Sequence, residues 1–224
     1  MLTKTEKQFS ILFVIIVLVE LYTGSSDTLR NWHYFAKPAI VISLIIFYLK
    51  AAASIPKRIK TLTVLGLLFS VMGDTLLMFV DKSEHYFTFG LIAFLTAHIM
   101  YILAFLKHRN KQRSVLGILA ILLLYALAIF YFLIDHLGTM LIPVILYMLV
   151  ILFMATTAYL RKGTISLISY QLVFLGALFF VVSDSILALN KFYQPIPFSD
   201  YSIMITYALA QYLIVIGILK LKLD

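Results

Sequence analysis

The stretches "GLLFSVMGDTLLMF" (residues 66–79) and "GALFFVVSDSILAL" (residues 176–189) lie 110 residues apart and share one pattern: a glycine, an apolar run, a single aspartate and a second apolar run. Each is continuously apolar, long enough to be part of a bilayer-spanning helix, and carries an acid where hydrocarbon would surround it. The rest of the chain agrees. Of its 224 residues, 63 % are hydrophobic and 12 % charged, whereas soluble domains average about 45–50 % apolar and about 25 % charged. Mean hydropathy is +1.04.

A span needs about 20 mostly apolar residues, because the hydrocarbon core is about 30 Å thick and each helical residue rises about 1.5 Å. Eight runs qualify: residues 9–22, 32–49, 61–80, 86–106, 114–134, 141–160, 166–189 and 201–219, the first being the shortest. A transmembrane barrel would need short segments alternating apolar and polar residues, which these are not. Without water, each run satisfies its backbone by coiling. The expected fold is all-α, a polytopic bundle of eight transmembrane helices forming a single integral membrane domain over residues 1–224. Lys4 and Lys7 precede the first run, but no small-residue cleavage pattern follows Glu20, so this run reads as a retained first helix.

Alternate loops divide the basic residues unevenly. One side holds Lys4, Lys7, Lys50, Lys57, Arg58, Lys60, Lys107, Arg109, Lys111, Arg113, Arg161, Lys162, Lys220 and Lys222; the other holds Arg30, Lys37, Lys82 and Lys191, a split of 14 against 4. By the positive-inside rule both termini face the cytoplasm. The formal charge of +8 then reflects topology and attraction to anionic membrane lipids, with no call for a nucleic-acid partner. There is no cysteine, which excludes disulfides, thiolate metal sites and a cysteine nucleophile. Short loops and the absence of a cleaved signal favour a bacterial inner membrane.

Other features recur at a similar offset. Pro38 in "AKPAIVISL" matches Pro143 in "LIPVILYML", and "TAHIMYIL" (residues 96–103) echoes "LAQYLIVI" (residues 209–216). Two four-helix halves in the same orientation, residues 1–113 and 114–224, are the expectation: a parallel 4+4 repeat. Helices three and seven then run in the same direction and bring Asp74 and Asp184 to one depth, about six residues or about 9 Å from the helix ends. Gly66, Ser70 and Gly73 before Asp74, and Gly176 and Ser183 around helix seven, form thin stripes where another helix can approach.

Further polar residues gather near that depth: Glu20, His33, Lys37, Asn190 and Lys191, with His98 farther in and Gln211 as its counterpart. An ionisable residue inside a membrane costs at least about 2.5–3.5 kcal/mol and points to function by default. There is no HExxH, Gly-x-Ser-x-Gly or phosphate-binding loop, and the five histidines include no close pair, so no metal site is expected. Acid–base chemistry remains. Two carboxyls in one apolar site can divide a proton between them, giving an acid and a base from one residue type. The same arrangement serves a hydrolase or a proton-coupled transporter of small molecules or lipids, and a lipid-binding scaffold would need only the shape.

"GLLFSVMGDTLLMF", "FGLIAFLTAHIMYILAF" and "GALFFVVSDSILALNKF", followed by "PIPFS" and "ALAQYLI", together resemble the lysoplasmalogenase, or YhhN-like, family of multispanning membrane proteins. The likeness runs in order through helices two to eight and includes the Lys-Pro of "AKPAI" and Tyr147 in "VILYMLVILFMA". It implies hydrolysis of the vinyl ether bond of lysoplasmalogens, lysophospholipids bearing choline or ethanolamine, to a fatty aldehyde and a glycerophospho-alcohol. It also implies Asp74 and Asp184 as catalytic residues, with Lys37, Ser70, His98, Tyr147, Ser183, Asn190 and Gln211 as pocket or support positions. Proton transfer and water suffice for that reaction, so neither metal nor organic cofactor is expected. Lys37 or Arg30 would hold the lipid phosphate, and the cavity would open outward or laterally between helices three and seven.

Overall fold

The computed structural model describes residues 2–25 and 27–222 and builds α1 (Lys4–Gly24), α2 (Arg30–Ala51), α3 (Lys57–Leu77), α4 (Glu84–Phe105), α5 (Leu116–Leu133), α6 (Leu141–Tyr159), α7 (Leu167–Ala188) and α8 (Ser199–Leu219). Among the described residues there is no β-strand, only an isolated bridge between Lys162 and Ile165. All eight helices are long and apolar enough to cross a membrane. The expected all-α membrane bundle is therefore the architecture found.

Local chemistry sets the helix ends. α1 starts earlier than hydropathy places it, because Thr3 and Glu6 form a reciprocal capping box: Glu6 N donates to Thr3 Oγ1 at 3.2 Å, and Thr3 N donates to Glu6 Oε2 at 2.6 Å. The polar first turn is helical without being apolar. Ser83 and Ser166 cap α4 and α7 through their side chains. α3 stops at Leu77 rather than at residue 80, so Asp74 sits in its last turn. α7 instead runs on through a π-helical turn, Leu189–Tyr193, which carries Asn190 and Lys191. Such turns are rare and cluster at functional sites. Buried hydroxyls are satisfied within their own helices: Thr63 donates to the Ile59 carbonyl, Ser70 to that of Gly66 and Thr156 to that of Leu152.

Two helix pairs pack most closely, α3 with α4 and α7 with α8, and in both glycine permits the approach. A Cβ on Gly66 would meet the Tyr101 ring at 2.9 Å, and one on Gly73 would meet the Phe94 ring at 2.6 Å. On the other pair, a Cβ on Gly176 would lie 2.9 Å from the Ala210 carbonyl oxygen, against backbone that cannot swing aside. The stripes expected near the two aspartates are thus helix–helix seams. α1 packs on α2, α4 on α6, and α2 on α3 and α8. The two ends of the chain meet where Lys220 Nζ binds Glu6 Oε2 at 2.6 Å, while Ser166 receives the tail through the Lys220 and Lys222 carbonyls. α5 is peripheral, contributing only Leu122 and Leu133 to the interior. Large apolar side chains such as Ile11, Leu124 and Ile142 cover the outer surface, as a lipid-facing wall requires.

Candidate active site

At the end of the bundle opposite the termini, α1, α2, α3, α7 and α8 enclose a polar chamber of about 530 Å³. Its rim carries Arg30, Asp81, Lys191 and Asp200, all exposed, and its floor carries Asp74 and Asp184. Arg30 is held at the rim by Asp81, 2.8 Å away. Beside this chamber, between α4, α5, α6 and α7, runs a narrow slot of about 60 Å³ whose walls include Leu91, Ala126, Met148 and Ile151. The two spaces share Leu77, Phe87, Phe94, Asp184 and Leu187. Asp184 therefore stands at the junction of a wet space and an oily one, while Asp74 faces the chamber only.

Each aspartate is held by one tyrosine. Tyr207 of α8 donates its hydroxyl to Asp74 Oδ2 at 2.7 Å, and Tyr147 of α6 donates to Asp184 Oδ2 at 2.5 Å. Each bond fixes the orientation of its carboxyl. Among the described residues no hydrogen bond engages either Oδ1, which leaves one oxygen of each acid for another partner. Behind Asp74 the bonds continue inward: Gln211 Nε2 donates to Tyr207 Oη at 3.3 Å, and Tyr101 donates to Gln211 Oε1 at 2.7 Å. Both ends of the Gln211 amide are thereby engaged, which locks the tyrosine that holds Asp74. Gly73 admits the Phe94 ring against α3, and Phe94 also stands edge-on to Tyr207.

Of the residues singled out in the sequence, Lys37, Ser183 and Asn190 line the chamber and Tyr147 lines the slot. Ser183 donates to the Ile203 carbonyl at 3.1 Å, and Asn190 accepts from Ile196 N at 2.8 Å, which ties the turn before α8 to the π-helical segment. Ser70, His98 and Gln211 lie behind the walls, fully buried. His98 Nε2 is 3.9 Å from Asp184 Oδ2, its ring edge-on to Tyr147 and Phe180, and neither ring nitrogen has a hydrogen-bond partner. Lys37 makes no hydrogen bond or ion pair with any described residue and borders the chamber. Sequence reasoning missed Tyr207. The available signal was Tyr207 and Gln211 four residues apart, hence on one face of an apolar helix. Among the described residues, no cluster of three or more metal-ligating side chains occurs.

Comparison with known proteins adds a family. The sequence profile of the YhhN family matches residues 32–218. The human lysoplasmalogenase TMEM86A is 34 % identical over 153 residues, covering 68 % of this chain and 62 % of that protein. A lysoplasmalogenase of Mycobacterium tuberculosis is 30 % identical over 212 residues, covering 92 % and 77 % respectively. The chain thus spans less than two thirds of the length of the human relatives it matches. No solved structure matches it significantly. With a profile spanning seven of its eight helices, the chain belongs to the YhhN family.

Proposed function

We propose that this protein hydrolyses the vinyl ether bond of lysoplasmalogens, with Asp184 as the acid and Asp74 as the base. One observation carries the reading: a carboxyl at the junction of a polar chamber and an apolar slot, with a second carboxyl on the chamber side. A lysolipid has the same division. Its headgroup belongs in the chamber, with the phosphate near Lys37 and Arg30 or Lys191, and its chain belongs in the slot. The vinyl ether joins the two parts and so lies between the acids. The printed names of the matched relatives support the same substrate.

The division also assigns the roles. In a vinyl ether the distal alkene carbon leads into the chain and the proximal carbon bears the ether oxygen. Asp184, which lines the slot, faces the distal carbon and protonates it through Oδ1, leaving an oxocarbenium ion centred on the proximal carbon. The Asp74 carboxylate, in the chamber where water is available, stabilises that charge and takes a proton from water as its oxygen adds. The product is a hemiacetal. Its carbon–oxygen bond to glycerol breaks as Asp74 returns the proton to the leaving oxygen and the hemiacetal hydroxyl proton passes to Asp184, so aldehyde and alcohol form and both acids are restored. Paired carboxyls flank oxocarbenium character in glycosidases by the same logic. Tyr147 and Tyr207 hold the two carboxyls in line.

The slot is too narrow to hold a long chain as it stands. Because α5 is the least embedded wall, chain entry proceeds by outward displacement of α5, directly from the surrounding lipid. The basic-residue asymmetry supports cytoplasmic termini and a chamber mouth on the opposite face.

The test is aldehyde release by the purified protein from an alkenyl-glycerophosphoethanolamine, with an ester-linked lysolipid as control. The expected result is aldehyde from the alkenyl lipid only, with Asp74→Asn and Asp184→Asn each slower by about 10²–10⁴-fold, the usual contribution of a positioned acid or base. Near-normal turnover in either folded variant removes that residue from the mechanism.

A further inference from the structure

The chamber holds a third acid, buried in its wall, that the reaction above does not use. Glu20, in the last turns of α1, is 3 % exposed. Its Oε1 lies 3.6 Å from His33 Nδ1 on α2, beyond hydrogen-bond reach, and both Glu20 Oε2 and His33 Nδ1 have no hydrogen-bond partner. Both residues line the chamber, with Lys37 one turn beyond His33 and Asp200 at the rim. Gly24 lets α1 lie close against them: a Cβ there would stand 3.1 Å from His33 Nδ1 and 3.6 Å from Glu20 Oε1. A buried carboxyl without a hydrogen-bond partner is costly, and a ligand that brings a cationic N–H donor to it relieves that cost.

The charge pattern of the chamber says what kind of cation. Lys37 and Lys191 make no ion pair and point into the chamber as receptors for an anion, while Glu20 and Asp200 stand on the same walls as acids. A ligand with both signs, a phosphate and an ammonium a few bonds apart, answers both sets at once. Of the aromatic rings lining the chamber, Tyr34 stacks on Phe79, Phe94 meets Tyr207 edge-on and Phe87 carries Lys191 over its face, while Tyr201 stands at the rim beside Phe198. A primary ammonium offers N–H donors to Glu20 Oε1, the carboxyl oxygen that is not sealed in the wall, whereas a trimethylammonium offers none and is met best by aromatic faces.

We infer that Glu20 is the receptor for the headgroup ammonium and makes the site select ethanolamine over choline. This rests on the lysolipid reading of the same chamber. Phosphate binding at Lys37 is common to both headgroups and gives no discrimination; the direct, charge-assisted bond at Glu20 is available to one of them. Discrimination by a buried polar group that must be matched is stronger than discrimination by size.

The experiment measures binding without turnover. Saturated 1-O-hexadecyl-glycerophosphoethanolamine and 1-O-hexadecyl-glycerophosphocholine, which lack the vinyl bond, are titrated into the detergent-purified full chain. The wild-type protein is expected to bind the ethanolamine lipid about tenfold more tightly or better, a typical effect for a hydrogen bond to a charged group. Glu20→Gln is expected to bring the ratio to near one, and Glu20→Asp, which keeps the charge, to retain a preference. Equal wild-type affinities, or an unchanged ratio in folded Glu20→Gln, overturns the inference; if Glu20→Gln does not fold, the wild-type and Glu20→Asp ratios decide it. The failures are separable. Binding with the stated preference but no aldehyde from alkenyl lipids sinks the hydrolase reading alone, whereas hydrolysis with no headgroup preference in binding sinks this inference alone.

Discussion

Asp74 and Asp184 are alike in sequence context and unlike in surroundings. Asp74 is 2 % exposed and bound by a tyrosine from α8; Asp184 is bound by one from α6 and also borders the slot. The two halves of the chain thus hold their acids by helices that do not correspond under the expected repeat. Removing one tyrosine hydroxyl deletes a hydrogen bond worth about 0.5–1.5 kcal/mol to a neutral carboxyl and about 1.5–3 kcal/mol to a charged one. Tyr207→Phe and Tyr147→Phe are accordingly expected to lower kcat about tenfold or more with KM little changed, measured as aldehyde release; unchanged kcat in both would show that the carboxyls are held some other way. The acids were legible in the sequence because a lone carboxylate in an apolar helix is costly enough to stand out. Their tyrosine partners were not equally so: among 14 tyrosines, most of which suit a membrane interface, only the fold shows which hydroxyl meets an acid, and Tyr207 went unnoticed. Glu20 and His33 were visible as polar outliers, but that both would be left without hydrogen bonds in one wall depends on how α1 meets α2.

At the level of elements, all eight helices could be read from hydropathy, because lipid leaves coiling as the local solution for a long apolar run. The misplaced ends are those where polar chemistry decides. α1 gains its first turn from the Thr3–Glu6 capping box, and α3 loses its expected last residues, since the turn after Leu77 stays apolar while no longer helical. The slot could not be seen at all: Ala126, Met148 and Ile151 look in sequence like any lipid-facing residue, and the partner helices decide which face is enclosed. The slot's role is tested at its least embedded wall. Ala126→Phe adds a ring that displaces chain methylenes, at about 0.8 kcal/mol each. Displacing two raises KM for sixteen- and eighteen-carbon alkenyl substrates by about tenfold while an eight-carbon substrate is affected less; an equal effect on all lengths would place the chain elsewhere.

For the whole molecule, the 14-to-4 division of basic residues predicts a chamber mouth on the face opposite the cytoplasm. The cysteine-free chain makes that checkable in intact bacterial cells with a membrane-impermeant maleimide. Lys82→Cys, near the chamber end, is expected to be labelled, and Lys111→Cys, in the loop after α4, to be labelled only after the membrane is opened; the reverse pattern would invert the molecule. Under the proposed function, a lysolipid in that orientation would keep its headgroup wet in the chamber, its chain in contact with hydrocarbon and its vinyl ether between the two tyrosine-held acids. The central claim is that the enzyme protonates carbon rather than cutting an ester. Running the reaction in ²H₂O, with the aldehyde trapped as its hydrazone as it forms, reads that step directly. The account predicts one deuterium on the carbon next to the aldehyde carbonyl, with formation of this product lost in Asp184→Asn. Aldehyde without deuterium at that carbon would contradict it.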